Sequence, residues 1–140
     1  MHREERTMTT IYLIRHAEAE GNLYRRIQGH WDGSITVLGL QQIDALAQRF
    51  RHEHIDALYC SNLSRARVTA EAITRYHDVP AVATPRLAEI RMGVWEGRAW
   101  GDVEHEFPEQ MRYFNTDPEK WSVPGGEPIR EVQKRMTRAI

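Results

Sequence analysis

The sequence of 140 residues predicts an α/β fold, because short apolar runs alternate with stretches of helical spacing. Residues 11–14 are β-prone or aliphatic and are followed at once by charge, which indicates a buried strand. Residues 55–61 indicate a second buried strand, followed by a helix at about 64–76. In open α/β sheets, ligands bind beyond the carboxyl ends of the strands. The residues directly after each strand are therefore candidate functional residues.

The composition limits the classes of function. The formal net charge is −1, so no global basic field recruits nucleic acid or an anionic membrane. The single cysteine, Cys60, excludes an internal disulfide and suits a reducing compartment. No apolar run approaches membrane-spanning length, and the start is too polar for a secretory signal. We expect a cytoplasmic protein with a flexible extension at 1–8 and one domain at 9–140.

Apolar stripes define three helices of this domain. The first is predicted at about 37–51 with Thr36 as its N-cap, the second at about 64–76, and the last after the turn at 124–127. Pro128 suits a first helical position. The inner faces are predicted to be Leu40, Ile43, Leu46, Ala47 and Phe50; Ala66, Thr69, Ala70 and Ile73; and Ile129, Val132, Met136 and Ile140.

The segments between these helices are predicted to contain short strands, short helices and irregular structure. Residues 79–84 are a short β-prone run, and Pro80 near its start fits an edge strand. A short helix is expected at about 102–107, followed by irregular covering segments. We expect Glu96 to hold a loop, and Arg26 and His30 to be solvated loop residues.

Arg15 and His16 follow the first predicted strand and would lie at the edge of a crevice. Arginine is a planar, permanently charged fork suited to phosphate, and histidine is a nucleophile toward a neutralised phosphoryl group. The alternative is a strand followed by a polar turn in which His16 caps a neighbouring segment. For an isolated Arg-His pair this alternative is the better interpretation.

Arg65 strengthens the functional interpretation. It lies in the first turn of the helix after the second strand, where a cation opposes the helix macrodipole. The same position is a natural anion site because helix N-termini present free N–H groups. A bound anion would offset the unfavourable position of Arg65.

With the residues around it, the Arg-His pair resembles the histidine phosphatase superfamily, the phosphoglycerate-mutase-like proteins. Arg-His-Ala-Glu at 15–18 matches the family's Arg-His-Gly-Glu box, with Ala17 in place of glycine. Asn22 falls where the family keeps an asparagine. Three further boxes follow in order: Ser-Asn-Leu-Ser-Arg-Ala at 61–66 with Thr-Ala at 69–70; Leu-Ala-Glu-Ile at 87–90 with Gly93 and Trp-Glu-Gly at 95–97; and Pro-Gly-Gly-Glu at 124–127.

The resemblance implies a three-layer α/β/α fold with a mostly parallel central sheet. It implies a phosphomonoester hydrolase that acts on small phosphorylated metabolites through a phosphohistidine, with no metal and no cofactor. The small phosphorylated substrate is the expected partner, with no nucleic acid and no membrane, and a homo-oligomer is an open possibility. The implied roles are nucleophile for His16, phosphate clamp for Arg15 and Arg65, proton donor for Glu89, and substrate binding for Asn22, Gln28 and Gly29.

Glu89 has two interpretations from local sequence. It lies in an apolar setting, and partial burial raises a carboxyl pKa toward usefulness as an acid. Alternatively, Glu89 pairs with Arg86 or Arg91. The two are about even on local sequence, and the resemblance favours the catalytic one.

One family element has no match. The family carries a second histidine in a His-Gly pair at the end of a later strand, and none of the other histidines has that context: His2, His30, His52, His54, His77 and His105. By resemblance, the chain lacks a C-terminal core strand between those ending at His16 and Ser61. We therefore expect a gap with unpaired strand edges, low stability and impaired activity.

Two other functions stay open at this stage. One is mutase-type phosphoryl transfer, although residues 102–123 are short and carry only Arg112, without the Arg-Arg pair of the family's sugar-phosphate mutases. The other is a non-catalytic remnant that binds phosphorylated ligands. A ribazole-phosphate phosphatase is a further possibility within the family.

Overall fold

A computed structural model describes residues 8–140, so the predicted extension lies outside the described residues except for Met8. The described part has an alternating order of helices and short strands. Its elements are α1 (Glu20–Leu23), α2 (Val37–Phe50), β1 (Leu58–Ser61), α3 (Ser64–Thr74), β2 (Ala81–Thr84), α4 (Trp100–Glu106), α5 (Pro108–Thr116) and α6 (Ile129–Ala139), with 3₁₀ turns at Pro85–Leu87, Gly93–Trp95 and Pro118–Lys120.

The α/β class predicted from the sequence is confirmed by a parallel sheet of two strands within the described residues. β1 pairs with β2 in a register that sets Leu58 opposite Ala81 and Ser61 opposite Thr84. The β-prone run predicted at 79–84 forms β2, but the strand begins at Ala81, directly after Pro80, because proline cannot donate to a strand ladder. β1 is shorter than predicted and begins at Leu58.

The buried strand predicted at 11–14 is wrong. These residues form no strand in the structure, and Ile11 and Leu13 are 63% and 87% exposed. A strand needs a neighbour for its backbone groups, and an open cavity of about 350 Å³ separates residues 12–16 from β1. The expected gap is thus present, with the β1 edge on one side and an unpaired segment on the other.

The two long predicted helices before β2 are confirmed. Thr36 caps α2, since its Oγ1 accepts a hydrogen bond from the Gly39 N–H at 3.0 Å. α2 buries Ile43, Ala47 and Phe50, but Leu40 is 53% exposed, so its predicted place on the inner face is wrong. A small core joins these helices to the segment before α1; its buried residues are Ala17, Ile43, Ala47 and Ala72.

A larger core lies on the side of the later helices. Trp95 is fully buried at its centre, and its ring packs at 5.6 Å from that of Trp121. The predicted irregular segment after residue 107 is wrong, because Pro108 begins a second short helix, α5. The buried members of this core are Ile27, Ile90, Met92, Trp95, Val103, Met111, Trp121, Val123 and Val132.

The last helix, α6, packs part of its predicted stripe against this core. Val132 is buried, and Ile129 and Met136 are partly buried against the same cluster. Ile140 is 84% exposed, so its predicted burial is wrong; α6 ends at Ala139, one residue before it. No helix among residues 8–140 is long and apolar enough to cross a membrane.

Candidate active site

The cavity between residues 12–16 and β1, here called the strand cavity, collects the predicted catalytic side chains. Its wall includes Arg15, His16, Arg65 and Glu89. The rest of the wall is largely apolar, and it contains Leu58 and Cys60 of β1 among others. The four residues come from three separate parts of the chain, so the fold brings together the catalytic set that the sequence predicts.

A second cavity of about 480 Å³, here called the loop cavity, adjoins the first and shares Arg15, His16 and Glu89 with it. The predicted substrate-binding residues Asn22, Gln28 and Gly29 line this second cavity. All seven predicted site residues therefore lie around one continuous region. The loop cavity is also lined by Arg25, Trp100 and Phe114, which the sequence did not single out.

His16 is held in one tautomer by the backbone carbonyl of the next residue, Ala17. Its Nδ1 lies 2.7 Å from the Ala17 carbonyl oxygen, which can only accept, so Nδ1 carries the proton. In the neutral ring, Nε2 is then the free lone pair. Burial lowers the pKa of His16 below its ordinary value, and the positive charges of Arg65 and Arg15 lower it further. Neutral, nucleophilic imidazole is thus favoured.

Thr69 connects the His16 segment to α3. The Ala17 N–H donates to Thr69 Oγ1 at 2.9 Å, and the same hydroxyl donates to the Arg65 carbonyl at 2.7 Å. Ala17 itself is buried in the small core, which accommodates the methyl group that replaces the family's glycine. One hydroxyl therefore fixes the backbone next to His16 against the backbone of Arg65.

Thr69→Val should lower the free energy of unfolding by about 1–3 kcal/mol, because the isosteric change leaves the buried Ala17 N–H without its acceptor. Urea denaturation measures this loss. Thr74→Val is the matched control, since that exposed α3 hydroxyl donates only to the Glu71 carbonyl. Equal losses in the two variants would contradict the assignment.

Arg65 and Arg15 differ in their surroundings. Arg65 is 2% exposed, and its guanidinium donates to the carbonyls of Gly29 at 2.7 Å and Trp31 at 3.3 Å. It also lies 3.6 Å from Asp32. Arg15 is exposed, and its side chain has no hydrogen bond or ion pair to another described residue. Arg65 is thus a fixed positive charge that also holds a loop, whereas Arg15 is free to close on a ligand.

Glu89 is exposed, so the predicted partial burial is wrong. Only its backbone neighbours Ala88 and Ile90 are buried. Its carboxylate accepts from the Ile90 N–H at 3.0 Å. Within residues 8–140 it forms no ion pair, so the alternative pairing with Arg86 or Arg91 is not observed. The carboxylate is therefore left at the wall of both cavities.

The predicted substrate-binding residues serve the loop itself. Asn22 Oδ1 accepts from the Ala19 N–H at 3.0 Å, which leaves its amide NH₂ group for a ligand. Gly29 has a φ of 52°, a conformation that glycine adopts without strain, and its carbonyl accepts from Arg65. Gln28 Oε1 is buried without a hydrogen-bond partner in the described part of the chain.

The predicted loop-holding role of Glu96 is confirmed, since its Oε1 accepts from the N–H groups of His30 and Met92, both at 2.9 Å. The expectation that His30 and Arg26 are merely solvated is wrong. His30 Nε2 donates to the Glu89 carbonyl at 2.9 Å, and Arg26 donates to the Gly97 carbonyl at 2.7 Å. These contacts join residues about 60 or more positions apart, so no local pattern indicates them.

The site residues are not arranged as a metal centre. In the described range there is no group of three or more histidine, cysteine, aspartate or glutamate side chains that could hold a metal ion. The polar groups around His16 are instead two guanidinium groups and one carboxyl group. This set suits an anion that approaches the imidazole.

Comparison with known sequences places these residues in a defined family. A family model described as the histidine phosphatase superfamily (branch 1) matches residues 11–140. Phosphoserine phosphatase 1 of Hydrogenobacter thermophilus is 34% identical over 129 residues, which cover 92% of this chain and 61% of that protein. The probable phosphoglycerate mutase GpmB of Yersinia pestis is 35% identical over 133 residues, covering 95% and 62%.

Solved structures agree with these sequence matches. YhfR of Bacillus stearothermophilus superimposes with a TM-score of 0.83 at 32% identity, covering 89% of this chain and 62% of that one. A mycobacterial glucosyl-3-phosphoglycerate phosphatase in complex with VO3 gives a TM-score of 0.80 at 25% identity, covering 89% and 61%. The chain thus spans about three-fifths of the length of its relatives.

Proposed function

Because the chain belongs to the histidine phosphatase superfamily (branch 1), we propose that its site hydrolyses phosphomonoesters of small metabolites through a phosphohistidine. The observation that carries the proposal is His16, whose Nδ1 is committed to the Ala17 carbonyl while Nε2 is free in a cavity with two guanidinium groups. A free imidazole nitrogen beside fixed positive charge is the chemical requirement for attack on a phosphoryl group.

The proposed reaction has two steps. His16 Nε2 attacks phosphorus as the bond to the ester oxygen breaks, and Glu89 gives its proton to the departing oxygen. In the second step Glu89, now a carboxylate, takes a proton from water. The resulting hydroxide attacks phosphorus, breaks the bond to Nε2 and releases inorganic phosphate. Arg15 and Arg65 stabilise the charge on the phosphoryl oxygens in both steps.

The loop cavity supports a small organic alcohol as the leaving group. It meets the strand cavity at His16 and Glu89, so an alcohol that departs from phosphorus would occupy it. Trp100 and Phe114 offer an apolar wall there, and Arg25 and the Asn22 amide offer polar contacts. This combination fits a small phosphorylated metabolite better than a polymer.

Hydrolysis is favoured over mutase-type transfer by the segment over the loop cavity. This segment, residues 101–128, contains one arginine, Arg112. The Arg112 guanidinium lies 5.3 Å from the centre of the Tyr113 ring and does not line either cavity. The segment therefore brings no paired arginine to the substrate. A cytoplasmic location, and a homo-oligomer, are further parts of the proposal that rest on the sequence alone.

The test is phosphate release by the purified chain from 4-nitrophenyl phosphate, phosphoserine and 3-phosphoglycerate. We expect release from the aryl ester and from at least one of the metabolites. Isothermal titration with vanadate, a phosphate analogue, separates the remaining alternative: binding without release from any ester would indicate a non-catalytic phosphate-binding protein and contradict hydrolysis.

Arg15→Gln should raise the pKa of His16, because the guanidinium of Arg15 disfavours the positively charged imidazolium. The pKa rises because a positive charge near the imidazolium is removed. The rate of phosphoenzyme formation should therefore begin to fall at a higher pH when the solution is acidified. NMR titration of the His16 ring measures the change without any need for turnover. Arg67→Gln is the control, since Arg67 is exposed and does not line either cavity; equal shifts in both variants would contradict the effect.

A further inference from the structure

We infer that Arg135 and Glu127 form a clamp that positions the Glu89 segment against His16, an inference that rests on the proposed function. Arg135 belongs to α6, and its guanidinium reaches the backbone just before the proposed acid. Its Nη1 donates to the carbonyls of Ala88 at 2.6 Å and Arg86 at 3.0 Å. Its Nη2 donates to the carbonyl of Glu89 itself at 3.2 Å.

Glu127 holds the guanidinium in place for these contacts. Arg135 Nε donates to Glu127 Oε1 at 2.7 Å and Nη2 donates to Oε2 at 3.0 Å, which makes a bidentate pair. Glu127 is 6% exposed, so solvent screens the pair little. The Arg135 side chain lowers the pKa of Glu127, consistent with a carboxylate that stays charged when the proposed acid is working.

Glu127 also binds the backbone just after the proposed acid. Its Oε2 accepts from the Arg91 N–H at 3.2 Å, and its own N–H donates to the Arg91 carbonyl at 2.8 Å. Arg135 therefore fixes the chain on one side of Glu89, and Glu127 fixes it on the other. His30 Nε2 adds a second donor to the Glu89 carbonyl at 2.9 Å.

The backbone position matters here because the Glu89 side chain has little support of its own. The carboxylate is exposed, and its sole hydrogen bond among the described residues is to the neighbouring Ile90 N–H. Its distance from His16 is thus set by the backbone of residues 86–91, which the clamp holds. The proposed acid depends on Arg135 and Glu127 although neither residue lines the loop cavity or the strand cavity.

The same helix supplies a matched control. Arg130 of α6 donates to both carboxylate oxygens of Glu119, at 3.1 and 3.2 Å, so it too makes a bidentate pair. That pair is exposed and contacts no residue of the proposed site. A change at Arg130 therefore reports the cost of disturbing an α6 ion pair without disturbing the Glu89 segment.

The experiment compares Arg135→Lys, Glu127→Gln and Arg130→Lys in the full chain. Lysine keeps the charge but cannot make the bidentate pair and reach three carbonyls together. We expect Arg135→Lys and Glu127→Gln to lower kcat about 10²-fold for phosphoserine, whose alkoxide leaving group needs a proton, because small displacements of catalytic groups have effects of that size. The loss should be smaller for 4-nitrophenyl phosphate, and Arg130→Lys should change neither rate.

A double-mutant cycle separates positioning from general destabilisation. If the clamp acts through Glu89, Arg135→Lys should have little further effect on kcat for phosphoserine in a Glu89→Gln background. Additive losses, or equal losses for the two substrates, would overturn the inference. Hydrogen exchange of the amides at 86–91 gives a readout that needs no turnover: it should rise in both clamp variants and stay unchanged in Arg130→Lys.

Hydrogen exchange also distinguishes failure of the clamp from failure of the proposed phosphatase function. If the clamp variants loosened residues 86–91 but the parent chain released phosphate from neither ester, the proposed function would fail and the clamp would have no catalytic role. If the parent chain turned over both esters while the clamp variants exchanged and reacted like the parent, the clamp alone would be overturned.

Discussion

His16→Ala should abolish the phosphoenzyme and lower kcat on the order of 10⁴–10⁶-fold, the scale seen when a nucleophile is removed from an enzyme that uses one covalently. The reason is geometric: the strand cavity presents one free imidazole nitrogen, and its proton is already assigned to the other nitrogen of the ring. Rapid acid-free quench with a radiolabelled aryl phosphate measures the acid-labile phosphate on the protein.

His52→Ala is the control for this experiment, because His52 is exposed, follows the end of α2 and lines neither cavity. It should label and turn over like the parent chain. Unchanged labelling in His16→Ala would assign the phosphate to another residue and remove the basis of the proposed mechanism.

Glu89→Gln should lower kcat about 10²–10⁴-fold for phosphoserine, because glutamine cannot protonate the departing alkoxide. The loss should be smaller for 4-nitrophenyl phosphate, whose phenolic leaving group needs little protonation. Steady-state kinetics with the two esters measure the difference. The exposed position of Glu89 at the wall of both cavities gives it access to the ester oxygen and to water.

Glu104→Gln on α4 is the control for that substitution, since Glu104 is exposed and lines neither cavity. It should leave both rates unchanged. Losses of the same size for the two esters in Glu89→Gln would indicate that Glu89 supports the structure of the site and does not supply the proton.

The parts of the fold that the sequence predicts are those with local causes. Thr36 caps α2 because its hydroxyl accepts from the Gly39 N–H three residues later. Pro108 begins α5 for an equally local reason, since proline suits the first position of a helix. The prediction of a strand at 11–14 was wrong because the pairing of one strand with another depends on residues far away in the sequence. Its residues have the composition of a strand, but the structure offers them no neighbour.

The site follows the same division. Local sequence left the roles of His16 and Glu89 open, and it was the ordered resemblance to the family's boxes that singled out Arg15, His16, Arg65 and Glu89. The fold brings these four residues to the wall of one cavity. The residues that hold Glu89 in position, His30 and Arg135, could not be predicted from local sequence. His30 reaches the Glu89 carbonyl across 59 positions, and Arg135 reaches it across 46. The exposure of Glu89 was not predicted either. Its apolar neighbours Ala88 and Ile90 are buried, but the Glu89 side chain is exposed.

The wall of the strand cavity contains a cysteine whose reaction with an alkylating reagent can report whether the cavity is occupied. Cys60 is the single cysteine of the chain, and it lies on β1 facing the space that His16 and Arg65 also line. Burial raises the pKa of its thiol, so little thiolate is present near neutral pH and alkylation is slow. A ligand that fills the strand cavity should slow this alkylation further, so that the reaction of Cys60 reports occupancy of the site.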